Sequence, residues 1–284
     1  MRALAGRVAI VTGGGRGLGR AYALALAAAG ARIVVNDVGS DVRGAGADPD
    51  VGRAVVDEIR AAGGAAVASA DPVGTVAAGE AIVGAALAAF GRLDALVNNA
   101  GISLARPFAE LSAADWDRVI RVHLTGTFAC ARAAFVAMRA AGRGGRIINT
   151  TSGAALDAAY PGSAAYAAAK GGIVSLTRVI AAEGAPHRIT CNAIAPLART
   201  RMSEAFLAGA EDAPDVLEPA AVAPLVVYLA SEASAGVSGE TFRFRHGRLA
   251  LARSATGAEV APVGARWTVE ELAARIDELL GRGA

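Results

Sequence analysis

Tyr166 and Lys170 stand four residues apart in a stretch whose pattern predicts a helix over 164–183, so both side chains share one helix face. A phenol beside an ammonium can take a proton from an alcohol. Unassisted, tyrosine ionises at about 10, and a neighbouring positive charge favours the phenolate. A Tyr-x-x-x-Lys spacing is common on exposed helix faces, so other residues must decide its meaning. Of the chain's 28 basic residues, Lys170 is the single lysine. An ammonium is a compact donor able to hold ribose hydroxyls, a task unsuited to the planar fork of arginine. Upstream, Thr151 and Ser152 close a predicted strand over 146–150. Ser152 is placed to donate a hydrogen bond to a substrate oxygen, with Thr151 as the alternative. Tyr160 has Ala164 four residues on and is expected only to line a pocket.

A second group of residues suits a dinucleotide. Thr12-Gly13-Gly14-Gly15-Arg16-Gly17-Leu18-Gly19 lies between a β-branched run, 8–11, and a predicted helix, 18–29. Glycines let the backbone turn tightly and approach a pyrophosphate, and the helix N-terminus supplies unpaired N–H groups. Asp37 ends the second predicted strand, 18 residues after Gly19. A carboxylate there accepts from both adenosine ribose hydroxyls and repels a 2′-phosphate, favouring NAD over NADP. Arg16 pulls the other way. Asp71 and Pro72 follow the third strand, where Asp71 would meet the adenine amine or serve as a turn acid. Asn98-Asn99-Ala100-Gly101 ends the fourth strand, with Ala100 and Gly101 small enough for a cofactor to lie close.

Short apolar strands alternate with helices along the chain, which predicts an α/β fold with a doubly wound, mostly parallel sheet covered on both faces. Predicted strands fall at 8–11, 33–36, 65–69, 93–97, 146–150, 189–194 and 241–244. A single long helix is expected over 113–139, and irregular chain over 39–49 and 245–265. The expected organisation is one domain over 1–250. An extension over 251–284 then carries an amphipathic terminal helix packed on it, the subunit-contact reading standing beside packing.

Composition excludes several classes. Hydrophobic residues make up 54% of the 284-residue chain and the net charge is +2, which argues against a nucleic-acid partner. Cys130 and Cys191 read as small buried thiols. His123, His187 and His246 lack metal-ligand spacing, so no metal is expected. No secretory signal or membrane-length apolar run is visible. The expectation is a cytoplasmic, free-standing chain acting on a small alcohol or ketone.

In order along the chain, the glycine motif 12–19, Asn98-Asn-Ala-Gly101, Ser152, Tyr166-x-x-x-Lys170 and Asn192-Ala-Ile-Ala-Pro196 resemble the short-chain dehydrogenase/reductase family. The resemblance covers nearly the whole chain. It implies a Rossmann-type fold and hydride transfer between NAD(H) and a secondary alcohol or ketone. Tyr166 would be general acid/base, with Pro196 and Thr200 near the nicotinamide carboxamide, in a homodimer or homotetramer. Asn36-Asp-Val-Gly-Ser-Asp41, Arg121-Val-His-Leu-Thr-Gly-Thr-Phe128 and Val222-Ala-Pro-Leu-Val226 are further similar to the (3R)-hydroxyacyl-CoA dehydrogenase part of peroxisomal multifunctional β-oxidation enzymes. That similarity implies a 3-hydroxyacyl thioester substrate. The competing expectations are an NADPH-dependent 3-oxoacyl thioester reductase, a dehydrogenase of steroid-like alcohols, and an NAD-binding regulator. Two departures stand out. His123 replaces the family's usual asparagine, and Ser152 to Tyr166 is one residue longer than usual, so the loop 153–165 must bulge.

Overall fold

The computed structural model describes residues 3–156, 160–204, 207, 217–253, 260–261 and 266–279. The apolar runs form strands β1 (Val8–Thr12), β2 (Arg32–Asn36), β3 (Ala66–Ser69), β4 (Ala95–Asn98), β5 (Gly145–Thr150), β6 (Ile189–Pro196) and β7 (Thr241–Arg245). Their order in the sheet is β3-β2-β1-β4-β5-β6-β7, all parallel. The order in which strands are added to the sheet therefore reverses between β1 and β4, and the strand ends there open a crevice at the carboxyl edge.

Helices α1 (Gly17–Ala28), α2 (Asp50–Ala61) and α7 (Pro219–Ala230) cover one face. Tyr22, Leu26, Val55, Ile59, Val226 and Leu229 bury that face against β1 and β2. Helices α3 (Val76–Phe90), α5 (Gly126–Ala141) and α6 (Ala164–Gly184) cover the other, through Ile82, Cys130, Met138 and Ala181. Two faces of helices leave the central strands wholly buried, which is why they read as unbroken apolar runs.

Polar side chains cross the middle of the sheet. Asn98 Nδ2 donates to Asn149 Oδ1 at 2.9 Å, and Asn149 Nδ2 donates to Thr177 Oγ1 at 3.0 Å and Cys191 Sγ at 3.4 Å. Buried amides keep their stability only when so paired.

Three expectations are revised. The helix foreseen over 113–139 is two helices, α4 (Ala113–Ile120) and α5, joined by a wide π-turn at Arg121–Thr125. Taken with the π-turn as one continuous helical span, Ala113–Ala141 is also, among the described residues, the one long and apolar enough to cross a membrane, with mean hydropathy 1.2 over 18 of its residues. Half of those residues are buried, and Cys130, Ala131, Ala134 and Met138 belong to the protein core. Finally, the stretch after β7 is not all irregular. An eighth strand, β8 (Arg248–Leu251), pairs antiparallel with β7.

The chain divides into two units, Met1–Ala252 and Arg253–Ala284. The first reaches Ala252 because β8 extends the sheet and the Ala252 N–H donates to Thr241 O at 2.8 Å. In the second, α8 (Val269–Leu279) is opened by Thr268, whose Oγ1 accepts from Glu271 N at 3.1 Å while Glu271 Oε2 accepts from Thr268 N at 3.1 Å. This reciprocal pair satisfies two otherwise orphaned donors.

Candidate active site

A cavity of about 1040 Å³ opens at the carboxyl edge of the sheet. It joins the two groups of residues singled out above, because all follow strand ends on that edge.

At one end lies the glycine loop. Gly13, with φ of 62°, sits so close to β4 that a Cβ would stand 2.8 Å from Ala100 Cα. A Cβ on Gly19 would lie 1.9 Å from Gly13 O. Only glycine permits this fold of the loop. The first turn of α1 has no side-chain cap, so its N–H groups stay available to an anion. Asp37 fixes the loop from below: its Oδ2 accepts from Gly15 N at 2.8 Å and its Oδ1 from Gly39 N at 2.7 Å. Each carboxylate oxygen retains a further acceptor site. Arg16 Nη1 donates to Ser40 O at 3.0 Å, tying the guanidinium to the loop after β2. Asp71 accepts from Ser69 Oγ at 2.9 Å beside Pro72. These residues fit a dinucleotide: glycines whose Cβ would clash, an uncapped helix start and a carboxylate at the end of β2 stand along one cavity wall.

Gly13, Arg16, Gly17, Leu18, Gly19, Asp37, Asp71, Pro72, Ala100, Gly101, Pro196 and Thr200 line the cavity. Thr12, Gly15 and Asn98 stand behind its wall. Buried Thr12 accepts through Oγ1 from Asn99 N and Ala100 N at 3.0 and 3.1 Å, and so holds the end of β4. Asn98 belongs to the polar ladder inside the sheet. Its neighbour Asn99 has the loop-holding role instead, donating to Thr12 O and Gly13 O, both at 3.1 Å. The alternation of side chains along a strand could have signalled this, since adjacent residues point to opposite faces. Thr200 packs on the glycine loop, where a Gly17 Cβ would lie 3.3 Å from its Cγ2.

At the other end stand Ser152, Tyr166 and Lys170. Lys170 is buried, and its Nζ donates to Thr150 O at 2.7 Å while lying 5.6 Å from the Tyr166 ring centroid. Burial pushes its pKa down to about 7, since an ammonium loses hydration there. Burial pushes the Tyr166 phenol up, a hydrogen bond with Ser152 works the other way, and Tyr160 adds to the upward push. Tyr160 thus lines the cavity and also acts on the phenol electrostatically. Ser152 Oγ caps the turn after β5 by accepting from Ala154 N at 3.2 Å. Thr151 is engaged elsewhere: its Oγ1 donates to Lys170 O at 2.8 Å. The choice between them therefore falls on Ser152. Of the loop 153–165, residues 157–159 lie outside the described residues.

His123 comes from the π-turn. Its ring packs edge-on against Tyr166, centroids 5.1 Å apart. Nε2 lies 3.1 Å from Ile102 N and 2.9 Å from Ile102 O, so the tautomer sets which of the two it bonds. Burial, then repulsion from Lys170, pushes its pKa down to about 3. The ring is neutral at neutral pH. Gly101 makes room for it, because a Cβ there would meet His123 Cε1 at 2.6 Å. The thiols are unsuited to nucleophilic work, as burial pushes both Cys130 and Cys191 up to about 12.

Comparison with known proteins agrees with this geometry. Residues 7–209 match the family model of the short chain dehydrogenases. The chain belongs to that family. It is 48% identical over 227 residues to peroxisomal multifunctional enzyme type 2 of Mus musculus, covering 80% of this chain and 30% of that one. It is 40% identical over 250 residues to hydroxyacyl-CoA dehydrogenase ChsB1 of Mycobacterium tuberculosis, covering 84% and 77%. The chain spans about a third or less of the first curated relatives it matches, at 30% and 26% of their lengths. Among solved structures, a short chain dehydrogenase from Mycobacterium avium superposes with a TM-score of 0.87 at 43% identity, over 99% of this chain and 97% of that one. Carveol dehydrogenase from Mycobacterium avium, in complex with NAD, gives 0.77 at 28% identity, over 85% and 96%.

Proposed function

We propose that this short-chain dehydrogenase uses NAD(H) and interconverts a 3-hydroxyacyl thioester with its 3-oxoacyl counterpart. The observation that carries the chemistry is the placement of Tyr166 between Ser152 and Lys170 in the cavity that also holds the glycine loop and Asp37. The coenzyme preference rests on Asp37. Its carboxylate faces the cavity at the end of β2 and suits ribose hydroxyls, while Arg16 is held by Ser40 O. The NAD complex of the carveol dehydrogenase supports it. The substrate class is supported by the similarity to a hydroxyacyl-CoA dehydrogenase.

NAD, when bound, supplies the hydride acceptor in oxidation and, reduced, the donor in the reverse direction. The protein supplies position and the proton path. Ser152 Oγ donates to the substrate oxygen and holds it against the phenol. Tyr166 Oη takes the alcohol proton in oxidation and returns it to the carbonyl oxygen in reduction. Lys170 holds positive charge beside the ring, and its Nζ is anchored on Thr150 O. A homo-oligomer belongs to the proposal, since Phe128 and Val136 on α5 and Val179 on α6 leave an apolar face exposed.

The test measures initial rates with a 3-oxoacyl-CoA and NADH or NADPH. The expected outcome is at least tenfold higher kcat/KM with NADH, equal to about 1.4 kcal/mol of preference, and loss of turnover in Tyr166→Phe. Preference for NADPH, or full activity in the phenylalanine variant, overturns the reading.

A further inference from the structure

The wall of the cavity at β7 has an opposite charge from the wall at β2. Asp37, Asp41 and Asp71 line the cavity after β2 and β3, whereas Arg243, Arg245 and Arg201 line it after β6 and β7. In sheet order β2 and β7 are five steps apart, about 24 Å at ~4.8 Å per strand. The glycine loop follows β1, and phosphates received by that loop therefore lie about 19 Å from β7 by the same spacing. The reacting groups after β5 are two steps from β7, about 10 Å.

The hairpin is built to present these cations. Phe242 and Phe244 pack toward the core beneath α1 and α7, so Arg243 and Arg245 alternate to the other face. The two-residue turn His246–Gly247 has φ of 49° and 69°, the two positive values of a tight hairpin. Arg245 Nε donates to His246 Nε2 at 2.8 Å. Arg245 also stands directly opposite Arg248, an arrangement of like charges that destabilises a sheet. Neither Arg245 nor Arg248 joins an ion pair among the described residues. An anion bound at this face relieves that repulsion, and guanidinium groups match phosphate oxygens in pairs.

We infer that Arg243 and Arg245 form a subsite for the phosphate groups of a coenzyme A thioester, holding the carrier end while the acyl end meets Ser152 and Tyr166. This rests on the thioester reading above. The subsite makes selectivity for the carrier separable from chemistry at the acyl group.

The experiment compares kcat/KM for one 3-oxoacyl group carried on coenzyme A and on N-acetylcysteamine, which lacks phosphate. The wild-type protein is expected to favour the coenzyme A ester at least tenfold. Arg243→Gln and Arg245→Gln are each expected to lower that ratio about fivefold, the order of an exposed ion pair. Added salt lowers it too. Adenosine 3′,5′-bisphosphate is expected to compete with the coenzyme A ester. A wild-type ratio near one, or a ratio unmoved by both substitutions, overturns the subsite and leaves the thioester reading standing. Turnover of simple secondary alcohols with neither thioester accepted overturns both.

Discussion

Lys170→Met removes one charge while keeping most of the side chain's length. The ammonium lies 5.6 Å from the Tyr166 ring centroid. At that separation a unit charge is worth about 3 kcal/mol at an effective dielectric constant of ~20, or about 2 pKa units. Burial already pushes the phenol upward, so losing the ammonium makes the phenolate scarce near neutral pH. The assay is alcohol oxidation at saturating NAD from pH 6 to 10, with a thermal melt to check folding. The apparent pKa of kcat/KM is expected to rise by up to about 2 units, with activity about 100-fold lower at pH 6, where the ammonium predominates. Because the Lys170 pKa lies at about 7, the ammonium is fully present below that pH and fades above it. The deficit of the variant must therefore narrow as pH rises. A deficit constant across the pH range, with the apparent pKa unmoved, refutes the electrostatic role and leaves Lys170 as a binding group only.

Asp37→Ser is expected to move the NADH/NADPH ratio of kcat/KM toward NADPH by tenfold or more, measured by initial rates. It also frees Gly15 N and Gly39 N, so the melting temperature is expected to fall; an unchanged coenzyme ratio would remove Asp37 from the ribose site. His123 is buried neutral with a folded pKa of about 3. The unfolded chain takes up the proton first, at about pH 6.5, so stability is lost as pH falls from there toward 3. By pH 4.5 that loss is about 3 kcal/mol. Unfolding free energies from urea titrations at pH 7.5 and 4.5 are expected to differ less in His123→Asn by that amount, and an equal difference in both proteins would show that the ring is not buried neutral.

Much of this site is legible in the sequence because its parts follow strand ends, and strand ends are marked by glycine and polar residues after apolar runs. Asp37, Ser152 and the Tyr166–Lys170 pair reach the cavity for that reason. Less is visible where local pattern and tertiary geometry diverge. The helix over 113–139 reads as unbroken because a π-turn changes the bonding pattern without changing residue type, and only the structure shows that this turn carries the buried His123. Asn98 and Asn99 are chemically equal in sequence and differ only in the face of the strand each occupies. The missed strand β8 did leave a signal. Thr-Phe-Arg-Phe-Arg and Arg-Leu-Ala-Leu alternate on either side of His246-Gly247, but arginine-rich, exposed alternation resembles loop composition. Most of 205–216, between β6 and α7, lies outside the described residues.

The ladder from Asn98 through Asn149 to Thr177 and Cys191 also tells the chain how to assemble. The apolar stretches 95–97 of β4, 147–148 of β5 and 193–195 of β6 could slide past one another with little change in apolar burial. A slip of one residue turns every side chain to the other face. Asn149 would then abandon Asn98, Thr177 and Cys191 at once, leaving each unmet polar group at a cost of about 1–3 kcal/mol. Two amides thus give three nearly interchangeable strands one admissible alignment, and the catalytic edge inherits its accuracy from a decision made in the middle of the sheet.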